Sequence, residues 1–230
     1  MIRFSPFLII FICVTSCAQS EVTKFEKVYK NDNWNLVFED NCTKDWTKHW
    51  TLDGLIATVE NSKKGMHFTS GPEYKNDAHH GVLWTKESFT GDVKIEYDYT
   101  RTDHATEAGV YEKDISKWSA LREIPAMKTY FENMNTFHIS YSAFGNQENS
   151  FHYVRARRYP KPDDKPFKVT QIEPSYDKQG YFKSGQTYHI TAIKTKENLF
   201  FKMESKDGVE FFTWNISNIK PINEGRIGLR

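Results

Sequence analysis

The sequence predicts an all-β protein, a two-sheet sandwich or jelly roll that forms one domain over residues 34–230. Short segments alternate apolar and polar residues with a period of two, and Gly, Asn, Asp or Pro residues separate them. Aromatic residues make up 15% of the 230 residues, which is enough for a large core. The segments are residues 35–39, 55–60, 65–70, 81–86, 92–102, 136–144, 150–159, 186–195, 198–204, 208–214 and 225–230.

Residues 1–16 have the layout of a bacterial lipoprotein signal peptide. Arg3 precedes an apolar run too short to span a bilayer, and Val14-Thr15-Ser16-Cys17 resembles a lipobox. The pattern predicts that Cys17 is acylated, palmitate included, and anchors the protein in the bacterial cell envelope, at the outer membrane. Residues 17–33 are polar and are expected to form a tether. An ordinary secretory signal cut nearby is the alternative.

Charge and cysteine content exclude several classes of protein. The 31 Lys and Arg residues against 30 Asp and Glu give a net charge of +1, whereas electrostatic nucleic-acid binders have a clear basic excess. A chain with 38% hydrophobic and 27% charged residues is not a polytopic membrane protein. With Cys13 removed and Cys17 acylated, Cys42 is left alone, which excludes an intramolecular disulfide and a cysteine-based zinc site.

A long insertion over residues 106–135 interrupts the strand pattern. Within it, residues 114–121 predict a short helix. Asp114 can cap its N-terminus, and Ile115, Trp118 and Leu121 follow as its apolar residues. Insertions of this length often carry function. The last segment, residues 225–230, reads as a strand whose outer edge needs either a further strand or another segment as cover.

Strand parity predicts which side chains face away from the core. The apolar residues of each segment occupy one face, so the polar residues between them share the other. The predicted outward set is Glu96 and Asp98 in residues 92–102, His138 and Ser140 in 136–144, Tyr153, Arg155 and Arg157 in 150–159, and Arg230 in 225–230. If these faces belong to one sheet, a single surface gathers acids, a histidine, a tyrosine and arginines.

Such a surface suits an anionic sugar. Arginine guanidinium groups bind carboxylate or sulfate, and a histidine can act as a base near neutral pH. His138 and Tyr153 are therefore the predicted base and acid, with Asp98 or Glu96 orienting them. The predicted substrate-binding residues are Arg155, Arg157, Ser140, His80 and Arg230.

Each of these residues also has a purely structural interpretation. His138 can be an ordinary sheet residue, the carboxylates can form surface salt bridges, and the arginines can belong to a solvated face. Asp77-Ala78-His79-His80 contains metal-ligand residue types, but without a known third ligand a structural turn is the simpler interpretation. The sequence shows no required cofactor, and a divalent metal stays an open alternative.

Several blocks resemble a family of concanavalin A-like bacterial proteins of unknown function, typically encoded among polysaccharide-utilisation genes. The blocks are HHGVLWTKESFTGDVKIEYDY at residues 79–99, NTFHISY at 135–141, SFHYVR at 150–155 and GRIGLR at 225–230, in the family's order. The resemblance covers residues 35–230 and implies a β-jelly roll with a role in carbohydrate breakdown. Family members usually continue into a closing strand that this sequence lacks.

Together with the resemblance, the outward residues predict a carbon–oxygen lyase that acts by β-elimination on acidic or sulfated algal oligosaccharides such as ulvan fragments. A glycosidic leaving oxygen would make it a polysaccharide lyase, and a leaving hydroxyl would make it a dehydratase. One alternative is a glycoside hydrolase with Glu96 and Asp98 as paired carboxylates. Another is a non-catalytic glycan-binding lipoprotein. The predicted partners are the oligosaccharide and, through the lipid anchor, the membrane, with no nucleic acid.

Overall fold

The computed structural model describes residues 14–72, 76–102, 127–141 and 152–230. The chain divides into two compact units, one ending at Asn35 and the other running from Leu36 to Arg230. The polar composition of residues 17–33 predicts a tether, and most of that stretch is helical. The side chain of Cys17 lies outside the described part.

The helix of the first unit, α1, spans Val14–Tyr29. Ion pairs one turn apart join Glu21 to Lys24 at 2.8 Å and Glu26 to Lys30 at 2.5 Å. Such pairs stabilise a helix by a few tenths of a kcal/mol each. No helix in the described part of the chain is long and apolar enough to cross a membrane.

In its described residues, the second unit is built from short strands, one short α-helix and three 3₁₀ helices. The strands are β1 (Trp50–Asp53), β2 (Thr58–Ser62), β3 (Gly65–Thr69), β4 (Val82–Thr85), β5 (Phe89–Thr90), β6 (Val93–Thr100), β7 (Thr136–Ser140), β8 (Tyr153–Tyr159), β9 (Gln171–Asp177), β10 (Thr187–Lys194), β11 (Asn198–Ser205), β12 (Gly208–Asn215), β13 (Glu224–Gly225) and β14 (Gly228–Leu229). The helix α2 (Met127–Asn133) precedes β7, and short 3₁₀ helices span Trp46–Lys48, Asp77–His79 and Phe167–Thr170.

The described strands pair antiparallel, which confirms the all-β prediction. One sheet has the order β12-β11-β10-β6 and a second has the order β7-β8-β9. A third has the order β1-β4-β14, while β2 pairs with β3 and β5 with β13.

The sheets β12-β11-β10-β6 and β7-β8-β9 share one hydrophobic core. Val154 and Ala156 of β8 are fully buried in the same cluster as Ile190, Phe201 and Phe212 of the facing sheet. The hydroxyl groups of three tyrosines make contacts between the two sheets. Tyr176 donates to the carbonyl of Thr213 at 2.9 Å, and the Tyr97 and Tyr141 hydroxyls lie 2.6 Å apart.

The strand predicted over residues 35–39 is wrong, and the strand β9 was not predicted. Residues 35–39 form no strand, and Leu36 and Val37 are 80% and 77% exposed, because no neighbouring strand covers them within the described chain. The sequence also gives no strand for β9, since Pro174 interrupts its pattern. The strand forms because β9 is the edge of its sheet and faces an irregularity between Val154 and Ala156, where a missing N–H is tolerated.

Two further differences concern short helices and strands. The helix α2 falls inside the predicted insertion of residues 106–135, whereas the helix predicted at residues 114–121 lies outside the described residues. The four-residue strand β1 was too short to give a clear alternation, yet it pairs fully with β4, from Trp50 opposite Thr85 to Asp53 opposite Val82.

Candidate functional site

Polar side chains gather on the outer face of β7 and β8. Val154 and Ala156 point into the core, so the residues that alternate with them on β8 point outward. In the register of the two strands, His138 lies opposite Arg157 and Ser140 lies opposite Arg155. We call this surface the histidine–arginine face and define it by His138, Ser140, Tyr153, Arg155, Arg157 and Tyr159.

His138 is partly buried and stacks on Tyr159, with ring centroids 5.9 Å apart and planes 26° apart. Its Nδ1 lies 3.5 Å from the Ser140 hydroxyl oxygen. Burial lowers the pKa of His138 to about 4, and the positive charges of Arg230 and Arg157 add to this effect. The ring is therefore neutral at neutral pH and has one nitrogen able to accept a proton.

Burial raises the pKa of Tyr159, whereas it lowers the pKa of His138. The side chain is 4% exposed, and this burial raises the pKa of its hydroxyl to about 12, although Arg157 and Arg230 act in the other direction. The hydroxyl therefore keeps its proton at neutral pH. A neutral histidine and a protonated tyrosine in ring contact form a base and acid pair of the kind that proton transfer needs.

The two outward arginines of β8 differ in their partners. Arg155 donates from Nε to the Ser175 hydroxyl at 2.6 Å and from Nη2 to the Asp177 carboxylate at 2.8 Å. Its guanidinium also lies 4.0 Å from the centre of the Tyr153 ring. The hydrogen bond from Arg155 is the main cause that lowers the pKa of Asp177. The charge of Arg155 is thus largely satisfied within the protein.

Arg157 is only 9% exposed and has no carboxylate partner among the described residues. Its Nη1 donates a long hydrogen bond of 3.4 Å to the Thr170 hydroxyl, and its guanidinium carbon lies 4.6 Å from the centre of the Phe167 ring. A buried guanidinium without a counter-charge is costly. An anionic ligand would supply that counter-charge.

Arg230 adds a third positive charge to this region. It directly follows β14, in which Gly228 lies opposite Trp84. A Cβ atom at Gly228 would lie 2.6 Å from the Trp84 ring, so glycine allows this close approach. The charge of Arg230 lowers the pKa of both His138 and Tyr159, which places it near the histidine–arginine face.

Glu96 and Asp98 lie on the other sheet, contrary to the expectation of one shared surface. Both point away from the core on β6, where Asp98 lies opposite His189 of β10. The Nδ1 of His189 is 2.9 Å from the Asp98 carboxylate, and its Nε2 is 3.6 Å from Glu96. Lys94 is a further partner of Glu96, at 3.7 Å. The carboxylates therefore orient His189, and not His138 or Tyr153.

His80 is buried and follows the 3₁₀ helix Asp77–His79. Its ring contacts Tyr130 of α2 edge to face, with centroids 5.5 Å apart, and the Tyr130 hydroxyl donates to Asp53. These contacts of His80 lead to α2 and, through Tyr130, to Asp53 of β1. No group of three or more His, Cys, Asp and Glu residues in the described chain is arranged to hold a metal ion.

A cavity of about 540 Å³ lies on the core side of β7. Its lining includes the apolar residues Val93, Ile95, Phe137 and Ile139, which belong to the inward faces of β6 and β7. Because side chains alternate along a strand, this cavity and His138 are on opposite sides of β7. The cavity is therefore separate from the histidine–arginine face.

Three further residues belong to this region and were not among the predicted site residues: Tyr159, Phe167 and Thr170. Tyr159 continues the alternation of Tyr153, Arg155 and Arg157, so strand parity was sufficient to find it. Phe167 and Thr170 follow the segment Lys161-Pro162-Asp163-Asp164-Lys165-Pro166, in which no periodic pattern indicates where the chain returns to the sheet.

Comparisons with protein-family models, with curated proteins and with solved structures give no match to this chain. The resemblance to concanavalin A-like proteins of polysaccharide-utilisation genes therefore stays a prediction from the sequence blocks.

Proposed function

We propose that the protein is a carbohydrate-active carbon–oxygen lyase for acidic or sulfated oligosaccharides, ulvan fragments being the first candidates. The observation that carries the proposal is the contact between neutral His138 and protonated Tyr159 beside Arg157, a buried guanidinium with no carboxylate partner in the described chain. The arrangement combines a base, an acid and an anion-binding group on one surface.

The proposed reaction is a β-elimination. His138 takes the proton from the carbon next to the acidic group of the sugar, and the electron pair of that C–H bond forms a double bond to the neighbouring carbon. The C–O bond at that neighbouring carbon breaks, and Tyr159 or Tyr153 gives its proton to the leaving oxygen. Arg157 holds the acidic group and stabilises the negative charge that develops on it. The proposed elimination by these side chains needs no cofactor.

The substrate itself is proposed to activate the base. In the free protein, Arg157 and Arg230 help to lower the pKa of His138 to about 4, which makes it a weak base. A bound carboxylate or sulfate offsets these positive charges, so the pKa of His138 rises when the substrate binds. Proton removal is then favoured in the complex and not in the free enzyme.

Mass spectrometry of ulvan oligosaccharides incubated with the protein tests the reaction class. Loss of one water without chain shortening identifies a dehydratase, and shorter chains with an unsaturated end identify a lyase. Shorter chains that have gained water would contradict the elimination and indicate a hydrolase. Unchanged masses with detectable binding would leave a non-catalytic glycan-binding protein.

Arg155 pairs with Asp177, whereas Arg157 has no carboxylate partner in the described chain, so substituting each arginine gives a matched pair of variants. Arg157→Gln is expected to weaken binding of an acidic oligosaccharide about 10- to 100-fold, because it removes a hydrogen-bonding charge. Arg155→Gln, on the same face of the same strand, is expected to have a smaller effect because Asp177 already pairs with Arg155. Titration calorimetry measures both. Equal losses for the two variants would contradict the role of Arg157.

We further propose that the two core-sharing sheets belong to a concanavalin A-like jelly roll, as the sequence blocks imply. The antiparallel pairing and the shared core support this fold. The lipobox-like sequence ending at Cys17 supports a lipid anchor in the bacterial cell envelope, at the outer membrane. An anchored enzyme would meet polysaccharide fragments at the cell surface.

A further inference from the structure

Phe167 is a large aromatic residue that stays 39% exposed beside the histidine–arginine face. It begins the 3₁₀ helix Phe167–Thr170, which leads into β9. A single exposed apolar residue is ordinary on a protein surface, so the significance of Phe167 lies in what surrounds it and not in its exposure. Phe167 is not among the residues to which the proposed elimination gives a role.

The position of Phe167 is fixed by its neighbours. Its ring centroid lies 4.7 Å from that of Phe131 on α2 and 6.2 Å from that of Tyr159, with the Tyr159 plane 24° away from parallel. The Thr170 hydroxyl donates to the Phe167 carbonyl at 2.8 Å and accepts from Arg157 at 3.4 Å. The aromatic ring and the guanidinium are therefore held together by packing and by one shared hydroxyl.

The guanidinium carbon of Arg157 lies over one face of the Phe167 ring, 4.6 Å from its centre, so the two groups are immediate neighbours and only the opposite ring face is left for a ligand. The face of an aromatic ring carries partial negative charge and attracts C–H groups of partial positive charge, but it repels anions. One side of a pyranose ring presents such C–H groups. An uncharged sugar ring therefore suits Phe167, while an acidic ring suits Arg157.

We propose that Phe167 forms a stacking subsite for an uncharged sugar ring linked to the acidic ring that Arg157 binds. This inference rests on the proposed function. It narrows the substrate class to oligosaccharides in which acidic and uncharged residues are adjacent. A single acidic sugar occupies only the Arg157 subsite and gains nothing from Phe167.

The test compares two ligands on the full chain by titration calorimetry. The first is glucuronate, and the second is a disaccharide of glucuronate linked to rhamnose. Phe167→Ala is expected to raise the Kd of the disaccharide about 2- to 12-fold, the value of one aromatic contact, and to leave the Kd of glucuronate unchanged. Phe167→Tyr is expected to keep the wild-type affinity for both ligands.

Two control variants separate stacking from folding effects. Phe167→Leu keeps an apolar side chain against Tyr159 and Phe131, so it is expected to lose disaccharide affinity with little change in unfolding. Val209→Ala alters a similarly exposed apolar residue on β12, 47% exposed, and is expected to change neither Kd.

The possible results are distinct. An unchanged disaccharide affinity in Phe167→Ala would overturn the subsite. An equal loss for both ligands would also overturn it, because Phe167 would then act only by supporting Arg157. In both cases the wild type still binds the acidic sugar and the proposed function stands. A wild type that binds neither ligand would overturn the proposed function and, with it, the subsite.

Discussion

His138 lies where burial and two arginines all favour its neutral form. Its pKa of about 4 is well below the value of 6.5 that an ordinary histidine has. Between these two values the unfolded chain binds a proton that the folded chain does not bind. The free energy of unfolding is therefore expected to rise with pH from about 4 to about 6.5 and then to level off for this group.

The size of this effect is on the order of 3 kcal/mol, since each pK unit corresponds to about 1.4 kcal/mol. Urea denaturation at about pH 5 and about pH 7 is expected to show about 2 kcal/mol of it, because about 1.5 of the 2.5 pK units lie between these pH values. His138→Gln has no titrating group at this position, so its stability is expected to change less between the two pH values. The same change with pH in the variant and in the wild type would mean that His138 titrates normally.

Arg155 and Arg157 show what the sequence could and could not predict about single residues. Alternation along β8 correctly predicted that both side chains point outward. It could not distinguish the arginine that Asp177 neutralises from the one that lacks a carboxylate partner in the described chain. That difference depends on the return of the chain through β9, which brings Ser175 and Asp177 next to Arg155.

At the scale of elements, the hydroxyl pair of Tyr97 and Tyr141 joins an edge of one sheet to an edge of the other. The oxygens lie 2.6 Å apart, and burial raises the pKa of both groups. Tyr97→Phe or Tyr141→Phe leaves one buried hydroxyl without its partner, so each is expected to cost about 1–3 kcal/mol of unfolding free energy.

The double variant Tyr97→Phe with Tyr141→Phe is expected to cost less than the sum of the two single changes. Replacing both hydroxyls removes the unpaired polar group that each single variant leaves behind. Urea denaturation of the three variants and the wild type gives the coupling energy. Strictly additive losses would mean that the two hydroxyls do not interact.

The strands that could be predicted are those with clear alternation, such as β6, β8 and β10. The strand β9 was missed because Pro174 argues against a strand unless its position at a sheet edge is known. The false strand at residues 35–39 shows the reverse error. The residues of this segment alternate as they do in a strand. A strand also needs a neighbour with free hydrogen-bonding groups, and the sequence does not specify one.

At the scale of the whole molecule, alternation predicts the face of a strand but not the sheet to which the strand belongs. Glu96 and Asp98 were correctly predicted to point outward from β6. They nevertheless lie with His189 on one sheet, while His138 lies on the other. Sheet membership depends on long-range pairing, and one sequence contains no direct record of it. For this reason the prediction overestimated how many polar groups meet at one site.

The proposed anchor gives a prediction for the whole molecule in its membrane context. Expressed in bacteria with its N-terminal segment, the protein is expected to incorporate labelled palmitate and to sediment with the outer membrane, because two or three acyl chains hold a protein stably. Cys17→Ala is expected to abolish the label and release the protein. Cys42→Ala serves as the control. Label that survives Cys17→Ala would contradict lipidation at this position.

The alternation along β8 has a consequence for how this protein can evolve. Val154 and Ala156 are buried in the core, while Arg155 and Arg157, which alternate with them, belong to the histidine–arginine face. Deleting or inserting one residue in this strand would exchange the two sets, placing arginines in the core and aliphatic residues at the surface. The core packing and the histidine–arginine face would then be lost in one event. Change on this face is therefore expected to proceed by substitution, with changes in length confined to the connecting loops.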